Sequence, residues 1–299
     1  MKYINRIKLQ NFKKYDTFST LLNKDINIFI GDNEAGKSTI LTAIDLVLSG
    51  SRHKVESKGI ENLFNLDSVN NFFAGARTVE NLPTAFIEIY LNETGKFELN
   101  GNSNSENYVC DGLKLELIPN EELSREILEI ITSPNAINNF PFEYYSIKFT
   151  TFQGDSYSSY RRYLKHLLLD NSQISNEYAT KEYVKSMYNN YIIGSEKLLH
   201  ENQYRSNKIE FTEEHLSDMN ARITEDYSFA VKTNSKSNLE SDLTIFENEI
   251  SIENKGKGKQ CFIKTDFALN RGEQNLDVLL LEEPENHLSH LNMKRLVEK

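Results

Sequence analysis

Two stretches near opposite ends of this chain hold residue types at spacings that phosphate chemistry can use. The first is Gly31-Asp32-Asn33-Glu34-Ala35-Gly36-Lys37-Ser38-Thr39, which fits G-x-x-x-x-G-K-[ST] without a mismatch. Its glycines let backbone N–H groups turn inward around phosphate oxygens, and a helix that follows adds the positive end of its dipole. Lys37 is then placed to reach the β- and γ-phosphates of a nucleoside triphosphate, and Ser38 to offer a hydroxyl to Mg²⁺. The second stretch, Val278-Leu279-Leu280-Leu281-Glu282-Glu283, is an apolar run that delivers two adjacent carboxylates. At the C-terminal edge of a parallel sheet such a pair stands where ligands bind. Glu282 suits holding Mg²⁺ through its water shell, and Glu283 suits orienting and deprotonating an attacking water. The two stretches together predict ATP hydrolysis assisted by Mg²⁺. Lys37 and Glu283 are the expected catalytic residues, with Gly31, Asn33, Gly36, Lys37, Ser38 and Thr39 around the nucleotide. Guanine specificity is disfavoured, because the nearest approach to Asn-Lys-x-Asp is Asn207-Lys208-Ile209-Glu210, which ends in the wrong acid.

The elements that must position these residues are legible as hydrophobic periodicities. Tyr3–Leu9 and Thr17–Leu22 read as paired strands, and Asp25–Ile30 as a short buried strand that leads into the glycine loop. Ile40–Leu48 is apolar enough for a buried helix. Ser49–Asn81 is polar and irregular, with one short helical stretch. Thr84–Leu91, Lys96–Leu99, Tyr108–Ile118 and Tyr144–Thr150 read as strands, with a helix over Glu121–Ile131. Tyr157 to about His200 is the longest expected helical stretch. Tyr227–Lys232 and Leu243–Ile252 read as strands again. A glycine turn (Lys255–Gln260), a helix (Cys261–Arg271), the strand Val278–Leu281 and a helix from about His287 complete the chain. His287 and His290 read as helix-start residues rather than metal ligands.

Composition limits the partners. With 299 residues, a formal charge of −10 and 26% charged residues, the chain can bury a large core but cannot coat nucleic acid through bulk positive charge. Any DNA contact is therefore expected to be local or indirect. Two cysteines without a CxxC pair indicate neither a disulfide framework nor a zinc site, and a reduced, cytoplasmic setting fits. No apolar run approaches membrane-spanning length, so no membrane partner is expected.

Leu279–Leu288, reading LLLEEPENHL, resembles the Walker B and D-loop segment of ABC-type ATPases, and most of all that of the OLD (overcoming lysogenization defect) family. The opening Ile7–Tyr15, IKLQNFKKY, is similar to the first strand and turn found across the OLD, RecF and SMC branches. The resemblance implies an α/β fold of the ABC-ATPase head type: a P-loop NTPase with a mixed core sheet, an antiparallel β subdomain and an inserted helical arm. It divides the chain into an ATPase lobe (1–156), a helical arm for dimerisation (157–226) and the rest of the lobe (227–299). It implies that Lys13 or Lys14 approaches the nucleotide, that Gln153 is a glutamine-loop residue near the metal, and that Lys257 and Gly258 belong to a signature turn. That turn would close over the γ-phosphate held by a second copy, making a homo-oligomer. OLD proteins pair the ATPase with a TOPRIM nuclease, whose Asp-x-Asp pair does not occur in this sequence. The implied role is the ATPase half of a DNA nuclease system in anti-phage defence, with the nuclease in cis beyond residue 299 or in a separate chain. The alternative is an ATP-driven DNA clamp of RecF or SMC kind, acting in repair.

Overall fold

The computed structural model describes residues 2–132, 139–170, 194–223, 226–233, 239–270 and 277–283, with scattered positions from 181 to 192 and residue 294. The chain forms two compact units, Met1–Leu169 with Ala268–Glu282, and Asp170–Phe267 with Glu283–Lys299.

The first unit is built on a six-stranded sheet. Strands β1 (Ile4–Phe12) and β2 (Tyr15–Leu21) form a hairpin, followed along the chain by β3 (Ala85–Leu91), β4 (Asn100–Gly101), β5 (Cys110–Pro119) and β6 (Tyr145–Thr151). The order is β2-β1-β3-β5, with β4 and β6 both pairing β5, and each of these pairings is antiparallel. Alternation explains the core: Ile7 and Leu9, Ile87 and Ile89, and Leu113, Leu115 and Leu117 all turn to one face and are buried. Helix α1 (Lys37–Ser49) lies on this sheet and buries Ile40, Ala43, Ile44, Leu46, Val47 and Leu48. The opposite face carries Glu88, fully buried but satisfied by Tyr90 Oη at 2.8 Å, Ser105 N and Oγ at 2.7 Å each, and Lys114 Nζ at 3.5 Å. Two short helices, α2 (Arg52–Lys58) and α3 (Leu66–Ala74), follow α1, and α4 (Ser124–Thr132) precedes β6.

After β6 the chain makes a turn and enters β7 (His166–Asp170). In the second unit a small hairpin of β8 (Phe246–Glu247) and β9 (Ile250–Ser251) precedes a helix, Lys257–Asn270, and the chain then returns to the first unit as β10 (Val278–Glu282), which pairs with β7. Asp277 N and Val278 N both donate to Lys165 O, at 2.8 and 3.1 Å, so the two strands start together and run in the same direction.

Several sequence expectations change here. Asp25–Ile30 is not a strand and not buried: Ile26, Ile28 and Ile30 are 60%, 75% and 91% exposed. Isoleucine favours extended backbone only where a neighbour completes the ladder, and among the described residues no strand lies beside this segment. Ser49–Asn81 is more ordered than expected, because Ser51 and Asn65 each accept a capping bond from the third residue on and so start α2 and α3. Phe97–Leu99 is a 3-10 turn rather than a strand. Within the expected long helix, His166–Asp170 is a strand, which moves the end of the first stretch of unit 1 from 156 to 169. The longest helix among the described residues is Ser195–His215, which overlaps the end of the expected stretch and runs on past His200. Tyr227–Lys232 is irregular, and the glycine turn is shorter than expected, since the helix begins at Lys257. The mixed sheet appears as an antiparallel sheet plus the separate β7–β10 pair. The helix from His287, with His290, lies outside the described residues.

Gly112 shows how tightly this sheet is fitted. A Cβ there would stand 2.1 Å from Phe152 Cε2, and Phe152 is fully buried, edge-on to Tyr90 at 5.0 Å. Gly112→Ala is expected to lower stability by about 1–3 kcal/mol through overpacking, read as a fall in the denaturation midpoint.

Candidate phosphate-binding site

The phosphate loop leads directly into α1. Gly36 is the helix N-cap at φ 100°, ψ 11°, and no side chain caps the helix, so no side chain competes with a ligand for the first-turn amides. Inside the loop Ala35 N donates to Asp32 O at 3.1 Å, and Thr39 N and Ile40 N donate to Gly36 O at 3.1 and 3.2 Å. Lys37 Nζ turns back across the loop and donates to Gly31 O at 2.6 Å and Asp32 O at 2.8 Å. Its ammonium therefore already sits over the loop's rim. Gly31, Asn33 and Ser38 are exposed, Gly36 and Lys37 half-buried, and Thr39 is buried with the helix.

The β1–β2 turn grips the loop from the side. Lys14 Nζ donates to Glu34 O, and Tyr15 Oη donates to Ala35 O at 3.4 Å. Gly36 is required by this packing as well as by its φ, since a Cβ would fall 2.4 Å from Tyr15 Oη. The sequence had marked Lys13 and Lys14 for a site role; the grip of Tyr15 was missed, because a tyrosine at a turn carries no motif. Lys13, at φ 50°, is half-buried. Burial pushes its ammonium pKa down, the charge of Lys58 adds to this, and the carboxylate of Glu282 pulls the other way.

Glu282 is therefore within electrostatic reach of Lys13. It ends β10, whose Leu280 is in the core and which packs against α1. β10 is thus a neighbour of the helix that the loop opens, and the Lys13–Tyr15 turn that grips the loop carries the lysine on which Glu282 acts. Gln153 does not join them. Strand directions alternate across the sheet, so β6 runs down from Tyr145, beside Pro119, to Thr151, beside Leu113, and Gln153 follows at the end away from the β1–β2 turn. There it sits exposed in a turn closed by Gly154 N donating to Thr151 O at 2.9 Å.

The second unit holds the remaining expected residues. Lys257 and Gly258 form the first turn of helix Lys257–Asn270. Glu247 engages Lys255 at 2.7 Å and Lys259 at 2.8 Å, whereas Lys257, between them, is exposed and makes no ion pair among the described residues. Gln260 Nε2 donates to Lys255 O at 2.8 Å and fixes the turn before the helix. Glu283 follows β10 in the left-handed region, at φ 48°.

The donors around the loop are backbone amides and an ammonium, a set that suits phosphate oxygens. For Mg²⁺ the neighbourhood offers the Ser38 hydroxyl and the Glu282 carboxylate, and among the described residues no cluster of His, Cys, Asp or Glu could hold a metal without further ligands. No helix among the described residues is long and apolar enough to cross a membrane.

Residues 6–227 match the AAA domain family. Curated relatives include the DNA replication and repair protein RecF of Clostridium tetani, 32% identical over 101 residues, covering 34% of this chain and 27% of that protein. RecF of Acetivibrio thermocellus is 42% identical over 65 residues, covering 22% and 17%. The chain spans about a quarter or less of the length of these relatives. Among solved structures, the recombination mediator RecF with ATP aligns at 14% identity and a TM-score of 0.34, over 73% of this chain and 46% of that one. The chain belongs to the AAA domain family.

Proposed function

We propose that this chain binds ATP with Mg²⁺, hydrolyses it, and couples that cycle to DNA repair as an ATP-driven clamp of RecF kind. The observation that carries the reading is the phosphate loop itself, in which Gly36 leads into α1 without a side-chain cap and Lys37 Nζ lies across the rim on the carbonyls of Gly31 and Asp32. Gly31, Asn33, Gly36 and Thr39 shape the loop, Lys37 holds the β- and γ-phosphates, and Ser38 and Glu282 hold the metal, which would supply charge neutralisation at the phosphates. Glu283 takes the proton of the attacking water. Lys257, exposed in the first turn of its helix, and Gly258 serve as the signature that meets the γ-phosphate of a second copy. Gln153 follows β6 at the end of the sheet away from the β1–β2 turn, so the glutamine-loop role is not given to it. The setting is cytoplasmic, and the helical region beyond β7 serves dimerisation.

A second reading rests on the Glu283-Pro284-Glu285-Asn286-His287-Leu288 run: an OLD-type head governing a TOPRIM nuclease in anti-phage defence. One experiment separates them. The native protein is incubated with labelled duplex DNA in ATP, a non-hydrolysable analogue or ADP, and both retention and strand integrity are followed. ATP-dependent retention of intact DNA supports the clamp. Mg²⁺-dependent cleavage supports the nuclease system. Binding indifferent to nucleotide sinks both.

A further inference from the structure

One buried polar cluster has no part in the chemistry above. Asp45, in the middle of α1, and His166, the first residue of β7, have side chains 2% and 5% exposed, and His166 Nε2 lies 3.0 Å from Asp45 Oδ1. Lys54 Nζ, from α2, reaches the same oxygen at 2.6 Å. Burial raises the Asp45 pKa, but His166 and Lys54 outweigh it and hold the carboxyl below its ordinary range. An ionised carboxylate only accepts, so His166 donates through Nε2. Asp45 Oδ2 and His166 Nδ1 are buried with no hydrogen-bond partner among the described residues. Neither atom therefore adds a second bond between α1 and β7.

A slide of α1 against β7 matters because of what each element carries. α1 begins at Lys37 and Ser38, about 11 Å along the helix from Asp45. The residue before His166 is bonded to the start of β10: Lys165 N donates to Asp277 Oδ2 at 2.8 Å, and Lys165 O accepts from Asp277 N and Val278 N. Glu282 ends that strand. The apolar contact of Val278 and Leu280 with the core resists separation, but burial is non-directional and does not fix a height along the helix axis. The only directional link found between α1 and the β7–β10 pair among the described hydrogen bonds is Asp45–His166.

We propose that His166 is a positioning residue: its bond to Asp45 sets the height of Glu282 against Lys37 and Ser38, and so the Mg²⁺-binding geometry. This rests on the assignment of Glu282 to the metal. The test is equilibrium ATP binding by the native protein in EDTA and in Mg²⁺, for wild type, His166→Leu and His166→Gln. His166→Leu is expected to keep the EDTA affinity and to lose about tenfold or more of the gain that Mg²⁺ gives, as supporting residues of metal sites do. His166→Gln, whose amide N–H can reach the same oxygen, is expected to restore that gain. Should His166→Leu lose ATP binding in EDTA too, His166→Asn, polar but too short for the reach, carries the same comparison. A full Mg²⁺ gain in a variant lacking the bond overturns the inference alone. A wild type that gains nothing from Mg²⁺ overturns the metal assignment, and the inference with it.

Discussion

Lys37→Ala is expected to weaken ATP binding at least about 100-fold, because two charge-assisted bonds to phosphate are lost at about 1.5–3 kcal/mol each. A second loss adds to the first. Lys37 also bonds the carbonyls of Gly31 and Asp32, so its removal lets the loop rim spread before any nucleotide arrives. The cost falls on binding rather than folding, since Gly31 and Asp32 are exposed. Titration calorimetry with ATP, beside a melting curve, checks both parts. A variant that binds ATP within a few-fold of wild type would show that the phosphates do not sit in this loop.

Glu283→Gln should do the opposite: ATP binding persists while turnover drops about 10²–10⁴-fold, the usual contribution of a positioned general base. Glutamine keeps the shape of the side chain and its place after β10 but cannot take a proton. The backbone supplies an internal control. At φ 48° a non-glycine residue costs about 1–2 kcal/mol, so Glu283→Gly is expected to raise the melting temperature while losing turnover equally. Stability and activity moving in opposite directions at one position would mark strain kept for function. Steady-state phosphate release at saturating ATP reads the first part, and a Glu283→Gln rate equal to wild type would remove Glu283 from the chemistry.

Much of this was legible in the sequence wherever a repeat of apolar spacing coincided with local chemistry. The loop, α1 and β10 are set by short-range rules, and each lies where the pattern put it. β1, β3, β5 and β6 alternate because one face is buried, and alternation is what a sequence records best. The misses share a cause. Tyr160-Arg161-Arg162-Tyr163-Leu164-Lys165-His166-Leu167-Leu168 fits a helical period, yet 166–170 pairs with β10 across more than 100 residues, a contact that no local window contains. Gln153 looked right in motif order, but order along a chain does not tell whether a strand ends at the top or the bottom of its sheet. The Asp45–His166 bond was invisible for the same reason: neither residue has a motif, and only the tertiary fold makes them neighbours.

The bare isoleucines of Asp25–Ile30 have a colloidal consequence. Six residues with three β-branched side chains turned outward, one charge and no proline or glycine have the composition of segments that stack between chains. Net charge of −10 keeps molecules apart at low ionic strength, and salt shortens the reach of that repulsion. Raising the salt therefore removes the barrier to self-association through this segment. The solution chemistry of the chain is a compromise between those two effects, decided a few residues before the phosphate loop.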